Sequence, residues 1–247
     1  MAVKSILVSQ PKPESDKSPY FELAKKHKVK IDFRPFIQVE PVNGQDFRQS
    51  RISLKDFSAV IFTSRNAVEH YFLLAKELRY TVPDSMKYFC LSESTAYYLQ
   101  KYVVYRKRKI FFGERKFDDL LDQIKKHKNE KYLLPCSDIH KQDIPNALED
   151  SKIEFQKAVM YRTVASDLSD LADVNYDMLV FFSPSGIQSL LKNFPEFEQN
   201  ATRIAAFGAT TAKAVESAGL RLDVMAPMPK APSMTMAIES YIKNSKD

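Results

Sequence analysis

The chain has 247 residues, of which 44% are hydrophobic, and its 37 basic and 31 acidic residues give a formal net charge of +6. This length and apolar content suit one large or two modest folded domains and exclude a disordered chain. The sequence contains no run of about 18 apolar residues, so no membrane-spanning helix is predicted. The apolar stretch near the N-terminus is too short for a signal peptide. We therefore expect a soluble, cytoplasmic protein.

In chain order, the first predicted strand begins at Ser5, in "SILVSQPKPES". A helix-like segment follows it, and then the extended segment Ile31–Val42. A second start of the same kind, "KYLLPCSDIHK" at Lys131–Lys141, leads to the extended segment Phe155–Val164. The chain thus carries two similar openings, each followed by an extended stretch.

The most regular internal repeat lies between these openings and after them. Ser58–Ala75, "SAVIFTSRNAVEHYFLLA", aligns without a gap with Asp177–Phe194, "DMLVFFSPSGIQSLLKNF", 119 positions later. The two segments predict buried strands at Ala59–Phe62 and Met178–Phe182, each followed by a turn containing Ser and by a helix with one apolar face. One strand, turn and helix unit is therefore present twice.

A further pair of such units lies at Tyr88–Gln100 and Ile204–Ser217. These repeats predict an α/β fold of two similar domains with mostly parallel sheets, because βαβ connections are right-handed. The order of the units is not a simple tandem, so we predict a segment swap. Residues 1–34 and 164–247 form domain 1, residues 35–163 form domain 2, and the two extended stretches form a two-stranded linker.

Hydroxyl and amide side chains stand at the strand-to-helix turns of both repeats. They are Ser64, Asn66, Thr95, Ser183, Ser185, Thr210 and Thr211. Ligands gather at the carboxyl ends of parallel strands, where the N–H groups of helix N-termini favour anions. Each residue taken alone is explained by helix capping. The set, with Gly186 and Gly208 at turns where a ligand can approach the backbone, predicts a site for carboxylates.

Several other chemistries have no support in the sequence. Cys90 and Cys136 form neither a disulfide framework nor a zinc spacing, so we expect buried, reduced thiols. The four histidines have no metal-ligand spacing, and we expect them at the surface; they are His27, His70, His127 and His140. No phosphate-binding glycine motif occurs, and "FFSPSG" lacks the first glycine of a serine-hydrolase elbow. We therefore expect no metal and no nucleotide cofactor.

The stretch Lys101–Lys131 is strongly basic, with 11 Lys or Arg against 5 Asp or Glu. A basic patch attracts anionic partners such as nucleic acid, but a solvated edge strand and helix face explains the composition more simply. We expect no nucleic-acid or membrane partner.

Four segments, together with the swapped order, resemble the uroporphyrinogen-III synthase family: "VIFTSRNAV", "FFSPSGI", "AAFGATTAKAVESAGL" and "VMYRTV". The resemblance implies a cofactor-free monomer whose substrate, the linear tetrapyrrole polycarboxylate hydroxymethylbilane, binds between two α/β domains. The implied reaction removes the terminal hydroxyl, inverts the last pyrrole ring through a spiro intermediate and closes the macrocycle as uroporphyrinogen III.

The resemblance also implies residue roles. Tyr161 matches the tyrosine of the family's linker and is the candidate for assisting hydroxyl departure, as a hydrogen-bond donor or acid. The alternative is a tyrosine that only packs between the linker strands. Thr95, Ser183, Thr210 and Thr211 match positions that line the family's substrate site, and Ser64 with Asn66 matches the family's "TSxNAV" turn, so the resemblance implies carboxylate binding for these residues.

This chain departs from the family at several positions. Arginines that are usual in the family are missing at Ser9-Gln10-Pro11 and at Cys136-Ser137. Lys12, Arg65 or Lys141 could replace them as bases. Ser92 stands in place of a glycine that is usual in the family. Two non-catalytic interpretations therefore stay open. One is a two-lobed binding protein for a small molecule or polyanion, and the other is a domain that has kept the fold and lost the activity.

Overall fold

A computed structural model describes residues 3–114, 117–172 and 175–245. Over these residues the chain forms eleven strands: β1 Ser5–Val8, β2 Lys30–Phe33, β3 Ile37–Pro41, β4 Ala59–Phe62, β5 Lys87–Cys90, β6 Ile110–Phe112, β7 Tyr132–Ser137, β8 Phe155–Ala165, β9 Met178–Phe181, β10 Arg203–Phe207 and β11 Val224–Ala226. The α-helices in the same ranges are α1 Pro19–His27, α2 Gly44–Gln49, α3 Arg65–Glu77, α4 Glu93–Leu99, α5 Phe117–Lys126, α6 Asp143–Asp150, α7 Pro184–Asn193, α8 Ala209–Ser217 and α9 Met234–Asn244. No helix in this described part is long and apolar enough to cross a membrane.

The chain divides into two compact units. Unit 1 comprises Met1–Gln38 with Val164–Asp247, and unit 2 comprises Val39–Thr163. The chain passes from one unit to the other within β3 and again within β8, which are neighbouring strands of one sheet. The predicted fold class, α/β with mostly parallel sheets and a two-stranded connection, is confirmed.

Unit 1 contains a five-stranded sheet in the order β11-β10-β9-β1-β2, and every neighbouring pair is parallel. β1 lies between β9 and β2, so the N-terminal segment supplies an inner strand of a sheet built otherwise from the C-terminal half. Separate apolar clusters pack on this sheet. All four residues of β9 are buried, as a continuous apolar run in a parallel sheet predicts.

Unit 2 contains a six-stranded sheet in the order β3-β8-β7-β4-β5-β6, and the pairs from β8 to β6 are parallel. Taken from β6 inwards, the strands β6, β5, β4, β7 and β8 occupy the places that β11, β10, β9, β1 and β2 occupy in unit 1. The internal repeats in the sequence therefore correspond to equivalent strands of two sheets with one topology.

The helices after the repeated strands begin earlier than the sequence pattern indicates. β4 has the predicted bounds, whereas β9 ends at Phe181, one residue early. α3 begins at Arg65 and α7 at Pro184, so part of each predicted turn belongs to the first helical turn. Pro184 suits that place because the first helical residue needs no N–H partner.

Both cysteines are buried free thiols, as expected. Burial raises the pKa of the Cys90 thiol to about 12 and that of Cys136 to about 11, which keeps both protonated and unreactive at neutral pH.

The basic stretch leads into β6, which is an edge strand of the unit 2 sheet. Its residues 115 and 116 lie outside the described ranges. Arg106 forms an ion pair with Asp84 at 3.6 Å, and both residues precede strands, at the edge of the sheet where β5 and β6 start. This part of the basic stretch therefore lies at the amino ends of the strands, whereas the strand-to-helix turns lie at their carboxyl ends.

Candidate functional site

Serine side chains cap the helices that follow the repeated strands. The Ser64 Oγ accepts a hydrogen bond from the Ala67 N–H at 3.1 Å, and the Ser183 Oγ accepts one from the Gly186 N–H at 3.3 Å. The two serines occupy equivalent places, after β4 and after β9. Each cap stabilises its helix by about 1 kcal/mol, and it uses the serine oxygen as an acceptor only.

The helices at these turns differ from their neighbours in charge. The first turns of α3, α7, α8 and α9 contain no acidic residue, whereas those of α1, α2, α5 and α6, and that of α4 at the turn with Thr95, contain Asp or Glu. A helix N-terminus carries about half a positive charge, which an acidic residue in the first turn would compensate. The positive ends of α3, α7, α8 and α9 are therefore left available to an external anion.

The turn after β9 lies close to the end of β1. A Cβ added to Gly186 would stand 3.8 Å from both the Ser183 Oγ and the Ser9 Oγ, and 3.2 Å from the Phe181 ring. The two serine hydroxyls thus lie near one point at the carboxyl edge of the unit 1 sheet. From the sequence alone Ser9 is only a departure from the family, because its proximity to Ser183 depends on the pairing of β1 with β9.

The turn between β10 and α8 depends on a glycine. Gly208 has φ +86° and ψ 148°, and its N–H donates to the Ala226 carbonyl at 2.6 Å. This conformation strongly disfavours residues with a Cβ. Gly208 therefore fixes the backbone that leads into the exposed Thr210.

The predicted hydroxyl residues do not all face solvent. Thr95 and Thr211 are the third residues of α4 and α8, and their exposed fractions are 4% and 1%. The Thr95 side chain lies 3.1 Å from the Ser92 Oγ, which also accepts the Thr95 N–H. The residues just before them, Ser94 and Thr210, are exposed. Asn66 is exposed and Ser185 is half-buried.

Tyr161 lies on β8 with only 8% of its surface exposed. Its ring contacts the His70 ring edge to face, with 4.9 Å between centroids. Burial raises the pKa of the Tyr161 hydroxyl, and its interaction with the Ser64 side chain opposes this effect. Tyr161 is therefore protonated at neutral pH and lies beside the serine that caps α3.

A carboxylate joins the ends of β7 and β8. The Asp138 Oδ1 accepts hydrogen bonds from the Ser137 hydroxyl at 2.8 Å and from the N–H groups of Ile139 and Thr163 at 2.9 and 3.0 Å. Partial burial raises the pKa of Asp138, but these hydrogen bonds outweigh it and the pKa is lowered. Asp138 thus fixes β8 at Thr163, two residues after Tyr161. Sequence reasoning missed this residue because its partners are brought together only by the pairing of β7 with β8.

The expected surface position of His70 is wrong. His70 is 8% exposed, and neither ring nitrogen has a hydrogen-bond partner among the residues that the structure describes. Its place in the helical pattern explains the error, since Ala67, Tyr71 and Leu74 on the same helix are also buried. Sequence reasoning gave more weight to the polarity of histidine than to this pattern.

The suggested substitute bases lie at or near strand ends. Arg65 is the first residue of α3, with its guanidinium 5.8 Å from the centre of the Tyr98 ring. The Lys12 ammonium is 6.0 Å from the centre of the Phe21 ring, and Lys141 is exposed after β7. Arg65 is the base that stands directly at an acid-free helix N-terminus.

Two cavities inside the units lie away from these turns. The cavity in unit 1 has a volume of about 570 Å³, and the residues that line it include Tyr176 and Thr202. The cavity in unit 2 has a volume of about 420 Å³, and the residues that line it include Met86 and Lys109. All four of these residues precede strands, and none of the predicted site residues lines either cavity. The predicted site residues thus lie outside these two cavities.

Two units of one topology, in which serines cap the acid-free starts of α3 and α7 at the carboxyl ends of β4 and β9, define a two-unit α/β protein. A family model described as "Uroporphyrinogen-III synthase HemD" matches residues 18–236. The chain belongs to the uroporphyrinogen-III synthase family.

Individual relatives agree with this assignment. The chain is 25% identical over 257 residues to a uroporphyrinogen-III synthase of Chlorobaculum parvum, covering 98% of this chain and 100% of the relative. It is 28% identical over 138 residues to the enzyme of that name from Saccharomyces cerevisiae, covering half of each chain. The fold is similar to that of a solved uroporphyrinogen-III synthetase from Helicobacter pylori, with a TM-score of 0.60, 19% identity and coverage of 98% and 99%.

Proposed function

We propose that the chain is a uroporphyrinogen-III synthase, a lyase that cyclises hydroxymethylbilane with inversion of the terminal pyrrole ring and loss of water. The observation that carries this proposal is the family match, which extends over residues 18–236 and so includes parts of both units. The product, uroporphyrinogen III, belongs to tetrapyrrole and haem biosynthesis.

The turns supply groups suited to the carboxylates of this substrate. We assign carboxylate binding to the set predicted from the sequence: Ser64, Asn66, Thr95, Ser183, Ser185, Thr210 and Thr211. Support comes from the acid-free N-termini of α3, α7 and α8, which favour negative charge. Because Thr95 and Thr211 are buried, their part is to hold the turns, while exposed groups such as Thr210 make the contacts.

Tyr161 is the proposed catalytic residue. Its raised pKa keeps the proton on the phenol at neutral pH, so the hydroxyl can give that proton to the departing hydroxyl of the substrate, which leaves as water. Cyclisation without inversion occurs unaided and gives the type I isomer. The remaining task of the protein is therefore to hold the chain in the one folded shape that leads to inversion.

The test of this function is the isomer that the protein produces. The purified protein is incubated with freshly generated hydroxymethylbilane, the products are oxidised, and the uroporphyrin isomers are separated by chromatography. We expect predominantly type III, above the control without protein. If only type I forms, at the spontaneous rate, the synthase proposal is wrong, and tight binding of hydroxymethylbilane would then identify a two-lobed binding protein.

Ser64 provides a direct test of the hydroxyl turns. Ser64→Ala is expected to lower the stability by about 1 kcal/mol and turnover about fivefold, because the cap of α3 and the hydroxyl beside Tyr161 are both lost. Thermal melting and the type III assay measure the two effects.

Ser58→Ala is the matched control for this change. Ser58 stands at the other end of β4, where its Oγ accepts the Lys131 N–H at 3.1 Å. Its loss is expected to lower stability by about 1 kcal/mol with turnover unchanged. Equal losses of turnover in the two variants would mean that Ser64 acts only through stability.

We also propose that the protein acts in the cytoplasm as a monomer, without a nucleic-acid or membrane partner. The family resemblance supports the monomer, and the composition and charge pattern of the sequence support the rest of this proposal. Light scattering coupled to size exclusion gives the mass in solution, and a value twice that of the 28.4 kDa chain would contradict it.

A further inference from the structure

His70 is a polar residue in a place that an apolar residue would fill. It lies on the buried face of α3, and both its ring nitrogens lack a hydrogen-bond partner in the described part of the chain. Buried polar atoms are nearly always paired, and an unpaired one lowers the stability of the folded state. A phenylalanine here would have a ring of similar size and no unpaired nitrogen, so the unpaired nitrogens of His70 lower the stability of the fold.

The main neighbour of this imidazole is the proposed catalytic tyrosine. The His70 and Tyr161 rings are 4.9 Å apart between centroids and nearly perpendicular, at 87°. This edge-to-face arrangement is favourable and holds both rings in a fixed orientation. Tyr161 also interacts with Ser64, at the N-terminus of the helix that carries His70. One helix therefore provides two contacts to the phenol.

Burial and one neighbouring carboxylate determine the charge state of His70. Burial lowers the pKa of His70, and Glu69, the next residue on α3, partly opposes this. The Glu69 carboxylate accepts a hydrogen bond from the Tyr98 hydroxyl at 3.1 Å. On the β7 side, the Cys136 thiol affects Tyr161 and is itself protonated, because burial raises its pKa. At neutral pH the imidazole is thus uncharged, with one nitrogen as a donor and the other as an acceptor.

We propose that His70 is a positioning residue of the synthase reaction, which holds the Tyr161 ring beside Ser64 and stabilises the phenolate that Tyr161 becomes during catalysis. This inference rests on the function proposed above. In the step concerned, the Tyr161 O–H bond breaks and its proton joins the leaving hydroxyl. The electron pair of the breaking C–O bond leaves with the water. The phenolate takes a proton back when the substrate loses one at ring closure.

The imidazole matters at this step because a phenolate in a buried place is poorly solvated. A neutral imidazole in contact with the Tyr161 ring provides a dipole and a polar N–H group, whereas an apolar ring provides neither. The contribution of His70 is therefore made to the charged state of Tyr161, and packing alone does not replace it.

The test compares His70→Phe with Tyr71→Phe. Tyr71 is the next residue on α3, its hydroxyl is also buried without a partner in the described residues, and its ring contacts Phe62 and Phe72. Both variants remove unpaired polar atoms, so we expect the melting temperature to rise by about 3 °C in each. With His70→Phe we expect kcat to fall at least about tenfold with KM within about twofold, and with Tyr71→Phe both constants to stay within about twofold.

A second readout does not depend on activity. With tyrosine labelled by ¹³C at Cζ, and with Tyr161→Phe to assign the signal, NMR follows the ionisation of Tyr161. We expect the pKa of Tyr161 to be higher in His70→Phe than in the wild type and unchanged in Tyr71→Phe. If His70→Phe leaves both this pKa and kcat unchanged, the inference is overturned, whereas a wild type that makes only type I isomer overturns the proposed function instead.

A third variant distinguishes the ring from its nitrogens. His70→Gln keeps an N–H donor and loses the aromatic ring, so we expect the pKa of Tyr161 to stay closer to the wild-type value than in His70→Phe. A pKa raised equally in both variants would contradict a role for the nitrogens. This variant also provides the decisive measurement if His70→Phe does not fold.

Discussion

Tyr161→Phe is expected to lower kcat for type III formation about 100-fold, the lower end of the range for loss of a general acid, with KM within about threefold. The change removes one oxygen from a buried residue and keeps the ring contact with His70, so the proton donor is lost while the packing remains. Steady-state kinetics, with the isomers separated by chromatography, measure the effect.

Tyr132→Phe is the control for the loss of a tyrosine hydroxyl. The Tyr132 hydroxyl donates to the carbonyls of Ile124 and His127, at 3.3 and 3.1 Å, and its ring lies in another apolar cluster of unit 2. We expect a loss of about 1 kcal/mol in stability and no change in kcat. Turnover of Tyr161→Phe within about twofold of the wild type would show that Tyr161 is not the acid.

Gly208→Ala is expected to lower kcat/KM about tenfold and to destabilise the protein by about 1–3 kcal/mol. A Cβ at this position would meet no atom within 4 Å, so the cost comes from the backbone conformation at φ +86° and not from a clash. Relaxation of that strain moves the start of α8 and the exposed Thr210. Substrate binding is therefore expected to weaken more than the chemical step.

Gly219→Ala separates this effect from instability. Gly219 also has a positive φ, +73°, with no atom within 4 Å of an added Cβ, but it follows the C-terminal end of α8. The two variants are expected to lose similar stability in urea unfolding, while only Gly208→Ala loses activity. A parallel loss of activity in Gly219→Ala would assign the effect to general destabilisation.

The fold was more predictable than the site because the repeats carry the topology twice. The strand at Ala59–Phe62 is short, apolar and followed by Ser64, and its copy confirmed that the pattern was not accidental. Thr95 and Thr211 illustrate the limit: a hydroxyl near a helix start indicates the turn, but the helical period turns the third residue towards the core. His70 illustrates a second limit. Its polarity predicted a surface position, although the apolar pattern of α3 places it on the buried face.

Contacts between distant segments account for the rest of what the sequence did not predict. Ser9 is brought beside Ser183 by the pairing of β1 with β9, and Asp138 reaches the Thr163 N–H because β7 pairs with β8. None of these pairs has a regular spacing in the sequence. The carboxylate-binding role of the turns stays a prediction, which the Ser64 and Gly208 variants address.

The position of β1 between β9 and β2 has a consequence for synthesis on the ribosome. β1, α1 and β2 are made first, but β9 begins only at Met178, after all of unit 2 has been made. At about 5–20 residues per second, the apolar strand Ser5–Val8 waits roughly 10–30 s for that neighbour. Unit 2 is thus the first unit that can complete its sheet, and the nascent chain carries an unpaired strand edge until unit 1 closes around it.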